Sequence, residues 1–277
     1  MLATDHDKVK NLSFPVMASP KLDGVRGLKH EGKGLARSLK PIPNDYIRHW
    51  VEDNLPNGVD GEIVAGSFCD STSAVNSVAG EPDFVFHAFD SFTHPNLPYY
   101  ERLKFLDCIA ADKHFEVVPV TWIYGEEDLA AYEAAILEQG HEGVIIRPPE
   151  SVYKFGRSKD LIRIKRFVDS EAVVVGFKEK FKNGNPQERN ELGYAKRSSS
   201  KAGKLPTGEL GALILDYNGI EFSLTFNHIK ANMSAKDAWE NRDKLLGRLV
   251  KFKHQAAGAK TAPRIPTMLG FREDWDK

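Results

Sequence analysis

Cysteine is nearly absent from this 277-residue chain: only Cys69 and Cys108 occur, with no C-x-x-C pair. That excludes a disulfide-built scaffold and a four-cysteine zinc module, and leaves two buried or spare thiols. Long apolar runs are missing too. No stretch approaches the roughly 18 residues that a membrane helix requires, and Met1 to Asn11 holds no hydrophobic signal core, so the expectation is a cytoplasmic protein with no membrane contact. There is no internal repeat, and low complexity is confined to Arg197-Ser198-Ser199-Ser200-Lys201. Strong charge of one sign is lacking as well, since 38 Lys and Arg against 39 Asp and Glu leave a net charge of -1. What remains is ordinary for a soluble globular protein: 41% hydrophobic and 28% charged residues, in a chain long enough for two domains.

The near-neutral total hides an uneven distribution. From Glu101 to Glu142 acidic residues outnumber basic ones ten to three, on two expected helices, and read as a solvated face. From Lys178 to Lys204 there are eight basic and three acidic residues, and from Leu246 to Arg264 five basic and none acidic. Those two stretches could line a phosphate track, the second because its cations alternate along an expected strand.

Near the start stands Lys21-Leu22-Asp23-Gly24-Val25-Arg26. Asp-Gly is a strong turn pair, because Gly tolerates positive φ and Asp bonds its own backbone. Lys21 would then end one strand and Arg26 begin the next, with both side chains free to face one pocket. A lysine is a nucleophile only when neutral, which near pH 7 takes desolvation or neighbouring positive charge; Arg26 or a bound metal would supply that charge. By themselves the six residues fit a solvated surface hairpin equally well.

Patterning gives an α+β chain. Strands are expected near 22 to 29, 59 to 65, 83 to 90, 143 to 147 and 161 to 166, alternating with helices. The clearest helix is Glu126 to Gln139, with Leu129, Tyr132 and Ile136 on one stripe, acids in its first turn and Gly140 as a C-cap. A composition shift near Phe167 to Ser170 suggests a boundary, with domains 1–167 and 168–277. Beyond it, Glu171 to Phe177, Gly211 to Tyr217, Ile220 to Phe226 and Arg248 to His254 read as strands, with one helix from about Ala235 to Leu246.

Further segments follow the lysine motif in an order that resembles the ATP-dependent DNA ligases of short phage and bacterial type. These are Arg37 to Pro43, Asp60-Gly61-Glu62-Ile63-Val64, Phe86-His87-Ala88-Phe89-Asp90, Glu142-Gly143-Val144-Ile145-Ile146-Arg147 and Leu161-Ile162-Arg163-Ile164-Lys165, closed by Arg264-Ile265-Pro266 and Arg272-Glu273-Asp274. The resemblance spans nearly the whole chain. It implies a nucleotidyltransferase (adenylation) domain of mixed antiparallel sheets and helices, followed by a small oligonucleotide-binding (OB-fold) β-barrel. It also implies a reaction in which Lys21 attacks the α-phosphate of ATP, the adenylyl group passes to the 5′-phosphate of a nick in duplex DNA, and the 3′-hydroxyl displaces AMP.

By the same resemblance Arg26 and Glu62 belong to the nucleotide site, with Glu62 on the ribose hydroxyls. Phe89 stacks on the base; His87 lies on the same strand face and is the alternative, the larger apolar ring favouring Phe89. Asp23 and Glu142 are the candidate ligands of Mg²⁺ or Mn²⁺. Arg147, Arg163 and Lys165 contact the nucleotide, the last two acting on the α-phosphate as developing charge is neutralised. Arg264 and Arg272 meet the pyrophosphate. Arg37, Lys40, Lys182, Arg197, Lys251 and Lys253 face DNA. The chain departs from the family in Arg147 and Arg163, where lysine is common, in Ser19, where an acid often lies near adenine, and in Trp275-Asp276 ahead of Lys277. RNA ligases and messenger-RNA capping guanylyltransferases share the motif order and stand as alternatives, as does a non-enzymatic nucleic-acid-binding barrel. The expected partner is nicked duplex DNA, gripped by a monomer with no obligate protein partner and no separate DNA-binding domain ahead of Lys21.

Overall fold

The computed structural model describes residues 1–6, 12–110, 112–189, 195–255 and 262–272. Two compact units divide the chain, Met1–Arg166 and Phe167–Lys277.

The first unit runs β1 (Leu2–Asp5), β2 (Val16–Pro20), β3 (Val25–His30), β4 (Lys33–Ala36), α1 (Asp45–Asn54), β5 (Val59–Val64), α2 (Phe68–Asn76) and β6 (Val85–Ser91). It continues with α3 (Tyr99–Asp107), β7 (Phe115–Val117), β8 (Thr121–Ile123), α4 (Glu126–Glu138), β9 (Gly143–Arg147) and β10 (Arg157–Lys165). The strands form two five-stranded sheets, ordered β1-β10-β9-β2-β8 and β4-β3-β5-β6-β7. Each sheet buries one face against a helix. Leu129 and Ile136 of α4 pack on Val16, Ala18, Ile123, Val144, Ile146 and Ile162 of the first sheet, and Ile47, Trp50 and Val51 of α1 pack on Val59, Ile63 and Phe86 of the second. The helix ends follow from local chemistry: the Asn44 side chain accepts from Ile47 N at the start of α1, and Ser67 and Asp70 make a reciprocal capping box on α2.

The lysine motif does not make the hairpin its turn pair suggests. β2 and β3 belong to different sheets, so Lys21 to Gly24 steps from one sheet to the other. Gly24 is not among the residues with positive φ; it is required by proximity, since a Cβ there would stand 2.4 Å from the Ile63 carbonyl oxygen. Part of the acidic run is not solvated either: Glu133 and Glu142 are 5% and 7% exposed, and each is ion-paired. Both cysteines are exposed and free, hence not buried thiols.

The second unit comprises β11 (Val168–Asn183), β12 (Gln187–Arg189), β13 (Ala195–Arg197), β14 (Lys204–Tyr217), β15 (Ile220–Thr225), α5 (His228–Ala231), α6 (Ala235–Glu240), β16 (Leu249–Gln255) and β17 (Arg264–Phe271). Five of these strands make an antiparallel sheet ordered β15-β14-β11-β16-β17, and β12 pairs with β13 in a separate ribbon. Among the described residues no ladder joins β15 to β17, so the mixed α+β character is present while a closed barrel is not seen. Leu213, Leu215, Phe222, Leu224, Val250, Phe252 and Met268 form the core. β11 and β14 are about twice the expected length, and β17 is an additional strand. The expected helix from Ala235 ends at Glu240 and is followed by a 3₁₀ turn, Arg242–Leu245.

Candidate active site

A pocket of about 490 Å³ opens in the first unit, walled by both sheets. Ser19, Ile145 and Arg163 come from the first sheet; Arg26, Glu62 and Phe89 come from the second; Lys21 stands on the segment joining them. The sheet crossover is therefore what brings nucleophile and pocket together. Lys21 is fixed at its backbone by a 2.8 Å bond from its N–H to the Gly143 carbonyl, which extends the β2–β9 ladder by one step.

Glu142 ties together two of the sequence-predicted residues. One carboxylate oxygen accepts from the Lys21 ammonium and the other, at 2.5 Å, from that of Lys165. Burial opposes ionisation of Glu142, but the Lys21 charge and the two lysine hydrogen bonds outweigh it and hold its carboxyl down at about 2. Desolvation draws the Lys165 ammonium below the ordinary lysine range, against the pull of Glu142. Glu62 behaves in the opposite way: burial raises its carboxyl to about 7, although Lys21 and a hydrogen bond from the Gly24 backbone work against the rise. Arg163, same-face neighbour of Lys165 on β10, is bonded to Asp5 at 2.5 Å and lines the pocket.

Two buried aspartates, neither assigned a role from sequence, organise the wall carrying Phe89. Asp60 holds Arg26 by a two-pronged contact of 2.8 and 2.5 Å and accepts 2.7 Å from the Tyr153 hydroxyl. Asp90 binds Arg102 at 2.8 and 3.1 Å and also accepts from Arg147. Arg147, expected at the nucleotide, lines the same pocket but is only 4% exposed, with its guanidinium 4.4 Å from the Tyr99 ring centroid and 5.7 Å from that of Phe89. The available signal was an acid set among apolar residues in each strand, Asp60 beside Val59 and Asp90 beside Phe89, since a buried carboxylate demands a partner.

Of the two stacking candidates, Phe89 lines the pocket, whereas His87 faces Glu116 at 3.3 Å. The β5–β6 register shifts between Asp60 and Gly61, which pair with Asp90 and Ala88. Phe89 is therefore the extra residue of a β-bulge; His87, cross-strand from Glu62, alternates with the buried Phe86 and Ala88 as Phe89 does. Arg37 reaches the pocket and Lys40 is exposed on the loop after β4. Asp23 and Glu142 join no cluster: among the described residues no three His, Cys, Asp or Glu side chains gather for a metal. Glu142 fits Mg²⁺ only as one carboxylate beside the phosphate oxygens of a nucleotide, which is how that ion is commonly held.

In the second unit Lys182 is exposed. Arg197 braces the β12–β13 ribbon through the Asn185 carbonyl at 2.9 Å and Gln187 at 3.1 Å. Lys251 and Lys253 lie cross-strand from Glu171 and Asp169, with the Lys253 ammonium 5.0 Å from the Phe167 ring centroid. Arg264 begins β17 opposite Gln255, and Arg272 donates to Glu171 at 2.7 Å. Asp274 and Lys277 lie outside the described residues.

Comparison with known proteins points one way. Residues 1–165 match the family described as ATP dependent DNA ligase domain. A DNA ligase of Halobacterium salinarum is 28% identical over 187 residues, covering 56% of this chain and 33% of the relative, and one of Methanospirillum hungatei is 25% identical over 189 residues, covering 58% and 34%. The chain thus spans about a third of the length of the curated relatives it matches. Among solved structures, Chlorella virus DNA ligase-adenylate is 30% identical, with 99% of this chain and 97% of that one covered and a TM-score of 0.55. A Lig E DNA ligase, 22% identical with 98% of each chain covered, shares the fold at a TM-score of 0.74.

Proposed function

Because this chain belongs to the ATP-dependent DNA ligase family, we propose that it seals 5′-phosphate/3′-hydroxyl nicks in duplex DNA at the expense of ATP, through a lysyl-adenylate on Lys21 and then a DNA-adenylate. The observation that carries this reading is the junction of Lys21, Glu142 and Lys165 beside a pocket offering the Phe89 ring, the Glu62 carboxylate and several arginines, Arg26 and Arg163 among them.

In the first step Lys21 gives up an ammonium proton to solvent, its Nζ lone pair forms a bond to the α-phosphorus of ATP, the bond to the bridging oxygen breaks to release pyrophosphate, and the nitrogen sheds a second proton to leave the phosphoramidate. Arg163 and Lys165 are suited to neutralise charge gathering on the phosphoryl oxygens, because preformed cations in a partly dry site cost no reorganisation during reaction. Glu62 is suited to accept from the ribose hydroxyls, Phe89 to lie against the base, and Arg26 to face the sugar and phosphate from its seat on Asp60. Mg²⁺, delivered with the nucleotide and touching Glu142, with Asp23 the other carboxylate proposed near it, would supply charge compensation on the phosphates. Arg37 and Lys40 serve the nick-side phosphate. In the second unit, proposed to be an OB-type domain, Arg264 and Arg272 serve the pyrophosphate, while Lys182, Arg197, Lys251 and Lys253 serve DNA. A monomer suffices for this arrangement.

The test is intact mass after incubation with Mg²⁺ and, separately, ATP, GTP or NAD, followed by sealing of a nicked duplex. The expected result is one adenylyl group gained from ATP alone, absent from Lys21→Ala, and chased onto the 5′-phosphate of the nick. A guanylyl gain, or no gain with any nucleotide, would overturn the reading.

A further inference from the structure

The ring proposed to meet the base is poorly held by its own strand. Phe89 is the unpaired residue of the β6 bulge, so no ladder contact on β5 fixes its direction; bulges re-aim side chains, and the aim must be set by what packs behind. Behind it stands Arg147, 4% exposed and placed between two rings, 5.7 Å from the Phe89 centroid and 4.4 Å from that of Tyr99. Tyr99 closes the unit by donating its hydroxyl to the Phe89 carbonyl at 3.2 Å. The Arg147 guanidinium is anchored on Asp90, the residue next to Phe89, and its buried Nε has no hydrogen-bond partner. Leaving a buried N–H unsatisfied is costly, and a planar cation against an aromatic face is a known compensation.

We propose that Arg147 is a positioning residue: held by Asp90 between Tyr99 and Phe89, it sets the orientation of the Phe89 ring against the nucleotide base and does not grip the triphosphate. This rests on the nucleotide reading of the pocket given above. The arrangement is separable from the fold's own support, because Arg102, fully buried and bonded to Asp90 and to the carbonyls of Leu97 at 2.6 Å and Ser151 at 2.7 Å, keeps that carboxylate compensated when Arg147 is replaced.

The experiment compares the wild type with Arg147→Met, Arg147→Lys and Tyr99→Phe in single-turnover formation of the adenylyl adduct. Ribose 5-triphosphate, which lacks the base, serves as a competitor. For Arg147→Met the KM for ATP should rise about tenfold with kcat little changed, as loss of one cation–aromatic support predicts, while the inhibition constant of the baseless triphosphate stays within about twofold. Arg147→Lys, which restores the charge on Asp90 but not the planar face, should fall between the two. Equal weakening of ATP and the baseless triphosphate would overturn the proposal in favour of a direct phosphate contact, and an unchanged KM would overturn it outright. Should Arg147→Met melt below the assay temperature, Arg147→Lys and Tyr99→Phe carry the same comparison. A wild type that forms no adduct but binds ATP more tightly than the baseless triphosphate would sink the ligase reading while leaving the base shelf testable by displacement of a fluorescent nucleotide.

Discussion

Two glutamates near Lys21 sit in opposite electrostatic situations, and pH separates them. Glu142 has its carboxyl depressed from the ordinary 4.5 to about 2, so its contribution to stability is complete above pH 4.5 and is lost as the pH falls through 2. On the order of 3 kcal/mol rides on that difference. Glu142→Gln should therefore unfold at lower urea than the parent at pH 7, with the gap narrowing to roughly half as the pH is taken to 3. Glu62, raised by burial to about 7, works the other way: its ionisation opposes folding increasingly from pH 4.5 upward, levelling off above 7. Glu62→Gln should gain roughly 2 kcal/mol at pH 8 and nothing at pH 4, while losing adenylyl uptake. Urea titrations of both variants at the stated pH values check the pair, and a common pH trend would contradict it. At this scale much was legible. Lys21, Arg26, Arg37, Glu62, Phe89 and Arg163 all reach one pocket, because residue types with distinctive chemistry stood at distinctive spacings. Asp60 and Asp90 were not legible as anchors, since sequence shows a charge without showing what neutralises it, and Arg102 is recruited from a different element.

Strands and helices were read best where one face is buried and least well where solvent takes over. α4 shows its stripe plainly. β11 and β14 outrun their expected bounds because their far ends, around Lys178 to Asn183 and Lys204 to Glu209, carry polar residues with no apolar alternation to mark them. β17 contains Pro266 and Gly270, both poor strand formers, and is held by its pairing with β16. The β6 bulge leaves no trace in composition, and His87 and Phe89 could not be told apart because both fall on the same alternation of the strand. Turn chemistry marked a change of direction at Asp23-Gly24 but not which strands would become neighbours. One consequence concerns the β9–β10 pair. A Cβ on Gly143 would stand 2.1 Å from the Ile164 carbonyl oxygen, so Gly143→Ala must part the two strands that carry Glu142 and Lys165. The melting temperature should drop, with a loss of about 2–4 kcal/mol, and kcat for adenylation should fall with it. Wild-type melting would contradict the packing at that crossing.

Across the whole molecule, a net charge of -1 says little because the charges are sorted by unit. Exposed cations gather on the outer lengths of β11 and β14 and on the β12–β13 ribbon, while several acids of the first unit are consumed in buried pairs. Arg197 spends its donors on the ribbon itself, so Lys182 and Lys196 are the better probes of a phosphate track. Binding to a nicked duplex should weaken with salt, and each of Lys182→Ala and Lys196→Ala should lower the log–log slope by about 1 without changing sequence preference. A slope unaltered in the double variant would remove this ribbon from the DNA surface.

Gly24 contributes no donor, acceptor or charge, yet the Ile63 carbonyl lies where its side chain would begin. In a saturation scan read by nick sealing, position 24 would be as intolerant as position 21, and the two would look alike in any profile built from survival. They part under a purely physical readout. Variants of Lys21 should lose chemistry outright and only that part of the stability carried by the ion pair with Glu142, whereas every variant of Gly24 should lose the melting curve first, because what selection maintains there is an empty volume.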